Sequence, residues 1–345
     1  MTDAPKSPRV RIGDVAAAAG VSKALVSYAL NGRPGVGEET RAHIIEVATS
    51  LGWTPSVRAR SLSGSKAYAI GLVFQHAAEH LGADEYLSSL MAGIHAALLD
   101  TGYALVTSVV PDLDAEVAAY TRLAAEGRVD GFVIVDPSPD EPIVGLVADR
   151  GLAYACLGRP GRVTRMPVLE HDEAPAVAEV AAHLAGLGHR RVAQVAGPQR
   201  VPSAKRRRQQ FQDAFRAQGL DADRWIAQEY SAVGGRAATA QLLDDTDPPT
   251  AIVFSDDLMA IAGMGVAGAR GLRIPEDLSV VGWNGITVAE YLHPALSTVT
   301  QYPYEDGRLA ATLLLEAIGG REFSDIVATP NPRFVARDST GPARR

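Results

Sequence analysis

A single cysteine, Cys156, stands among 345 residues. That excludes an intrachain disulfide framework and any multi-cysteine zinc site. No apolar run of about 18 residues occurs, so no segment reads as membrane-spanning. The opening MTDAPKSPRV lacks an apolar core segment, which predicts no secretory signal and a cytoplasmic protein. GxxxxGK[ST], HExxH and GxSxG are missing, which argues against phosphate-loop, zinc-protease and serine-hydrolase chemistry. The eight histidines show no ligand spacing, so no metal is expected, and no cofactor. What is present is an ordinary globular composition, 47% hydrophobic and 21% charged, long enough for two or three domains.

The net charge of −7 is unevenly spread. Residues 1–66 carry nine Lys or Arg against five Asp or Glu, a surplus of +4, and the remainder carries 24 against 35, or −11. A basic head on an acidic body fits a nucleic-acid reader joined to a second domain.

Within the head, Ile12, Val15, Ala16 and Ala19 share one face of a short helix. Gly20 suits the left-handed turn that ends it, and Ser22 suits the N-cap of a second helix over 23–30. That helix turns Leu25, Val26, Ala29 and Leu30 inward and leaves Lys23, Ala24, Ser27 and Tyr28 outward. After the loop NGRPGVG a third helix is expected from about Glu38 to Leu51, with Ile44, Val47, Ala48 and Leu51 inside. This is a helix-turn-helix, whose second helix enters the major groove.

The stretch from IGDVAAAAGVSKALVSYALNG to LGWTPSVRARSLS resembles the DNA-binding head and hinge of the lac-repressor (LacI/GalR) family of transcriptional regulators. It carries DVA–AGVS, VS–LN, V–TR, LGW-P and AR-L without a gap over 10–63. The resemblance implies that Ser22 caps the recognition helix and holds a phosphate, and that Lys23 and Ala24 read bases. It places Ser27, Asn31, Gly37 and Thr40 at backbone or base contacts, with Arg11 and Tyr28 at the same surface. Members commonly have Arg where Tyr28 stands, and Tyr cannot make an arginine's bidentate contact to guanine. In SVRARSL, Arg58 is expected at a phosphate and Leu62 as a wedge in the minor groove, which would kink the duplex.

From Tyr68 onward, short apolar runs alternate with helical patterns. Strands are expected at 68–74, 103–110, 130–136, 152–158, 191–197, 225–230, 250–255 and 278–283. Helices are expected between them, and α/β repeats of this kind imply parallel sheets covered on both faces. Gly263-Met-Gly265-Val-Ala-Gly268 spells GxGxxG but falls inside a predicted helix, not at the strand-to-helix turn that dinucleotide binding needs. Lys205-Arg206-Arg207-Arg208 opens another helix.

This body resembles the same family's effector domain, which is similar to periplasmic sugar-binding proteins. The matching phrases include GHRRVA, SAKRRRQQF, TAIVFSDDLMAIA, IPEDLSVVGW and FVARDST. The resemblance implies a two-lobed α/β fold behind an N-terminal helix-turn-helix, with head 1–53, hinge 54–66 and a ligand-binding and dimerisation domain over 67–345. The first lobe is expected over about 67–165 plus 302–325, and the second over about 166–298 plus 326–345. It makes Arg207 the ligand clamp, Tyr230 an aromatic wall, and Asp256 and Asn284 polar contacts. The chain ends at DSTGPARR without the family's tetramer-forming zipper, so a homodimer is expected.

The expected protein is a homodimeric DNA-binding regulator, more readily a repressor than an activator, on a pseudo-palindromic operator. Its expected effector is a neutral sugar. Asp256 would accept from paired hydroxyls, and Arg207 would donate while balancing its charge. A phosphosugar remains open through Arg206 and Arg208, and a purine through stacking on Trp283 or Phe74. The competing classes, a dehydrogenase or kinase with a DNA-binding appendage and a plain solute-binding protein, fit less well. The former lacks a placed phosphate loop, and the latter would not carry the basic head.

Overall fold

The computed structural model describes residues 10–30, 35–53, 66–75, 84–138, 142–161 and 164–344. The chain divides into two units after Tyr68.

The first unit is a three-helix head: α1 Ile12–Ala18, α2 Lys23–Leu30 and α3 Glu38–Ser50. Asp14 accepts the Arg11 backbone N–H at 2.7 Å and so satisfies a free donor at the start of α1. Gly20 takes φ +67, the left-handed conformation that reverses the chain between α1 and α2. Val15, Val26 and Ile44 are fully buried and meet at the centre with Ala16, Ala19, Ala29 and Ala48. Leu51, expected inside, is exposed. Gly52 turns the chain at φ +65, and the Trp53 N–H returns to the Ala48 carbonyl at 2.9 Å. Trp53 therefore packs on the core in its place.

The second unit begins with β1 Ala69–Gln75, α4 Glu85–Leu98, β2 Ala104–Val110, α5 Leu113–Ala125, β3 Gly131–Val135, α6 Ile143–Asp149, β4 Ala153–Leu157 and β5 Val168–Glu170. The chain then crosses to α7 Ala174–Gly186, β6 Val192–Ala196, α8 Pro202–Ala217, β7 Trp225–Ala227, α9 Ala232–Leu243, β8 Ala251–Phe254, α10 Asp257–Ala269, β9 Ser279–Asn284 and β10 Ser297–Thr300. It ends with α11 Pro303–Ile318, β11 Ile326–Ala328 and β12 Arg333–Val335. The strands are near-continuous apolar runs because helices cover both faces of each sheet.

Two six-stranded sheets result, ordered β11-β5-β4-β3-β1-β2 and β12-β10-β9-β8-β6-β7. All neighbours pair in parallel except β10 with β12. The order is the same in both lobes. The chain leaves β1 or β6 toward one edge, then returns to the other side, and this reversal opens a crevice at the carboxyl ends of the strands. In the second lobe that crevice lies between the ends of β6 and β8.

Two details differ from the sequence reading. β5 and β11 lie beyond the expected lobe boundaries at 165/166 and 325/326, yet both pair in the first sheet. Each is only three residues long, too short to show a period. The strand expected over 225–230 stops at Ala227, which leaves Tyr230 in the loop before α9. The three glycines of GxGxxG do lie inside α10. Helices α4 and α11 meet backbone to backbone, since a Cβ on Gly93 would overlap the Tyr304 carbonyl and one on Gly307 the Leu90 carbonyl. That contact fixes α11 on the first lobe.

Candidate DNA-binding head and effector cleft

At the start of α2 the Ser22 hydroxyl accepts the Leu25 N–H at 3.2 Å. Lys23 and Ala24 are exposed one turn before Ser27 and Tyr28, so the four form two i, i+4 pairs on one outward face. Tyr28 is 43% exposed. The Lys23 stem runs over α1, where a Cβ on Gly13 would come 3.1 Å from its Cε. The first turn of α2 carries no acid, so its free N–H groups and Lys23 form a surface suited to phosphate. Gly37 is the N-cap of α3 and Thr40 lies in its first turn. Arg11 caps α1 and is exposed. Asn31, Arg58 and Leu62 lie outside the described residues.

In the second lobe, Gly197 follows β6 and admits Tyr230, whose ring occupies the space a Cβ there would need. Asp256 follows β8 and caps α10, accepting the Met259 N–H at 3.1 Å with one oxygen. Its other oxygen accepts the Asn284 side-chain amide at 2.8 Å, and the Asn284 carbonyl oxygen accepts Gln301 at 2.6 Å. Asn284 has φ +113, a strained conformation for a residue with a side chain. Burial pushes the Asp256 carboxyl up to about 6, against its bond from Met259. Burial likewise pushes the Tyr230 phenol up to about 12, although nearby Arg207 works the other way. The structure thus brings Tyr230, Asp256 and Asn284 to the crevice at the ends of the central strands.

Arg207 on α8 is 5% exposed. Its ion partner is Glu173, at 2.6 Å, and not Asp256, which the sequence reading had balancing its charge. The guanidinium lies over Trp283, 4.2 Å from the ring centroid. Trp283 is fully buried, with Phe211 against its edge at 5.8 Å between centroids. It therefore has no face left for a purine, contrary to expectation, and serves as the platform under Arg207. Phe74, half-buried at the end of β1, packs on the first lobe's core.

Two acids of the first lobe reach the second. Asp136, just after β3, accepts the Ser203 N–H at the start of α8 at 2.9 Å. Glu85 accepts the Thr287 N–H at 2.8 Å and its hydroxyl at 2.7 Å. Tyr86 adds a phenol from the first lobe, its pKa raised by burial and by Asp306 and Asp136. Among the described residues no His, Cys, Asp or Glu cluster suits a metal. No described helix is long and apolar enough to cross a membrane.

Sequence comparison places this geometry. Residues 11–56 match the model of bacterial regulatory proteins of the lacI family, and residues 181–340 match the periplasmic binding protein-like domain. An uncharacterized HTH-type transcriptional regulator in the aml 5′ region of Streptomyces limosus is 31% identical, with 97% of this chain and 95% of that protein covered. The chain belongs to the LacI family. Among solved structures, the lac repressor dimer bound to operator and the anti-inducer ONPF superposes with a TM-score of 0.81 at 25% identity, covering 97% of this chain and 100% of that one. The transcriptional regulator CelR–cellobiose complex superposes with a TM-score of 0.72 at 28% identity, covering 96% and 100%. As a LacI-family protein the chain is a DNA-binding transcriptional regulator and not an enzyme.

Glu173, Asp136 and Tyr86 escaped the sequence reading. Glu173 stands where a helix begins, beside Asp172, and there reads as an ordinary cap. In the structure Asp172 takes that role, accepting the Ala174 N–H at 2.9 Å, while the Glu173 side chain turns away to α8. Only the proximity of α7 and α8 reveals its partner.

Proposed function

We propose that this LacI-family protein is a cytoplasmic homodimeric repressor. It binds a pseudo-palindromic operator through its head and releases or tightens that grip when a sugar enters the interlobe cleft. Lys23 and Ala24 read the half-site: lysine donates to guanine O6 or N7, and alanine touches a thymine methyl. Ser22, Gly37 and Thr40 hold phosphates. In the cleft Asp256 and Asn284 contact hydroxyls, Tyr230 supplies a flat apolar wall, and Arg207 donates from beneath.

The observation that carries the effector reading is the Asp256–Asn284 pair at the carboxyl ends of β8 and β9. It is half-buried, held by Met259 and Gln301, and strained at Asn284. A carboxylate has about four acceptor positions, so Asp256 can still accept from a hydroxyl beside its bonds from Met259 and Asn284. The CelR–cellobiose neighbour supports the same class of ligand. Regulation follows from linkage: a ligand that binds one lobe arrangement better shifts the equilibrium that the operator also biases.

The test is a thermal-shift screen of sugars, followed by operator gel shifts with each hit. Arg207→Ala should weaken the response to the identified effector by about 10- to 100-fold in concentration, as expected for losing a charged hydrogen-bond donor. It should still retain operator without effector. A variant that keeps the full response would overturn the cleft assignment.

A further inference from the structure

The Glu173–Arg207 pair is buried in the second lobe and is incompletely satisfied. Glu173 is 3% exposed and Arg207 5%. One Glu173 oxygen binds the guanidinium at 2.6 Å, and His171 Nε2 lies 3.7 Å from that same oxygen. The other oxygen, Oε2, has no hydrogen-bond partner, and neither has Arg207 Nε. Glu173 is nonetheless charged. Burial pushes its carboxyl up, but Arg207 and His171 outweigh that and hold it at about 2. A buried anionic oxygen and a buried cationic N–H without partners are costly. Asp136 and Tyr230 lie within electrostatic reach of this arginine, and Tyr86 within reach of both members of the pair. Groups of both lobes thus surround the pair.

We propose that Glu173 restricts the effector to an uncharged, hydroxyl-bearing molecule and excludes sugar acids and phosphates. This rests on the cleft being the effector site. A lone buried arginine is a clamp for carboxylate or phosphate. Here the clamp is already occupied by a carboxylate of the protein itself. Among its buried atoms the pair leaves a donor, Arg207 Nε–H, and an acceptor, Glu173 Oε2, unpaired. A hydroxyl both donates and accepts, so it suits a donor and an acceptor alike. A phosphate or carboxylate only accepts and would set a second anion against Glu173. An ammonium only donates and would meet Arg207. The other carboxylates near the pair, Asp136, Asp256 and Asp306, add to the repulsion of an anion.

The experiment uses the full-length protein and matched pairs of probes, one uncharged and one anionic: glucose with glucose 6-phosphate, galactose with galacturonate, cellobiose with cellobionate, adenosine with adenosine 5′-monophosphate. Calorimetry measures each on wild type, Glu173→Gln, Glu173→Asp and Arg207→Ala. Wild type should bind the uncharged member of at least one pair and its anionic partner at least about tenfold more weakly, since like charges placed together cost several kcal/mol. Glu173→Gln should bring the two members within about threefold or reverse them, while Glu173→Asp keeps the wild-type preference. Wild type binding an anionic member as tightly as its uncharged partner overturns the proposal, even if the glutamine variant does not fold. So does an unchanged preference in a folded Glu173→Gln, or no binding of any pair. A probe that binds Arg207→Ala and wild type equally overturns the effector-site reading itself. A probe lost in Arg207→Ala, but with the same charge preference in wild type and Glu173→Gln, overturns only the role of Glu173.

Discussion

His189 shows how a residue that reads as a motif in sequence becomes a structural clamp in space. It is 1% exposed, with Nδ1 2.8 Å from the Thr250 hydroxyl and Nε2 3.1 Å from both the Ser279 hydroxyl and the Gly341 carbonyl. The carbonyl can only accept, so in the neutral ring the proton sits on Nε2. The ring thereby ties β9 and the start of β8 to the C-terminal segment. Burial lowers its pKa below the ordinary value of 6.5. The unfolded chain therefore takes up the proton first as pH falls, and the stability from the neutral ring is present above about 6.5 and lost below it. Between pH 7.5 and 5.5 the melting temperature of Met1-to-Arg345 protein should fall more steeply for wild type than for His189→Gln. The raised carboxyls of Asp256 and Asp257 act in the opposite direction but are common to both proteins. Parallel melting curves across that range would show that His189 does not titrate in this way.

At the scale of elements, α10 decides what its glycines are for. GxGxxG in sequence suggests a phosphate cradle, but such a cradle needs free backbone N–H groups at a turn, and these glycines are inside the helical hydrogen-bond ladder. Gly263 has a different use. A Cβ there would stand 2.6 Å from Phe254 Cζ and 2.7 Å from the Thr239 hydroxyl, where α10 crosses α9 and β8. Gly263→Ala should therefore destabilise the effector domain by about 1–3 kcal/mol, the usual range for overpacking. Gly186, in the last turn of α7, is exposed and has nothing within 4 Å of its Cβ position. Gly186→Ala should raise stability by up to about 1 kcal/mol through helix propensity alone. Urea unfolding of the two variants checks both signs, and equal effects would remove the packing argument for Gly263.

For the whole molecule, the division after Tyr68 separates two units with their own cores. The α/β unit should fold without the head. Protein lacking residues 1–63 should keep its cooperative thermal transition and its effector binding, yet lose operator retention in a gel shift. The intact protein should lose about 10³–10⁵ in operator affinity between 50 and 200 mM salt, if a dimer makes roughly 6–10 phosphate contacts. Retention of the same operator by the truncated protein would show that the DNA-reading surface lies elsewhere. Within the larger unit, the Asp136–Ser203 and Glu85–Thr287 bonds join the lobes, so closure is held by carboxylates meeting backbone N–H groups.

Local pattern was enough for what depends on neighbours along the chain. The spacing of Val15, Ala16, Ala19, Val26 and Ala29 around Gly20 determined the helix-turn-helix. The apolar runs between helical segments determined the parallel pairing of the central strands, because each run must bury both faces. Tyr230, Asp256 and Asn284 were named only through the family resemblance of the motifs around them, and the fold puts them at the ends of the central strands. The three-residue strands β5 and β11 were invisible, because their existence depends on the sheet edge that receives them. The partner of Arg207 was invisible for the same kind of reason. Glu173 lies 34 residues away, and no periodicity links the two. Only the packing of α7 beside α8 puts one carboxylate where it neutralises that guanidinium, and only burial in the lobe made Trp283 a support under Arg207 and not a wall for a ligand.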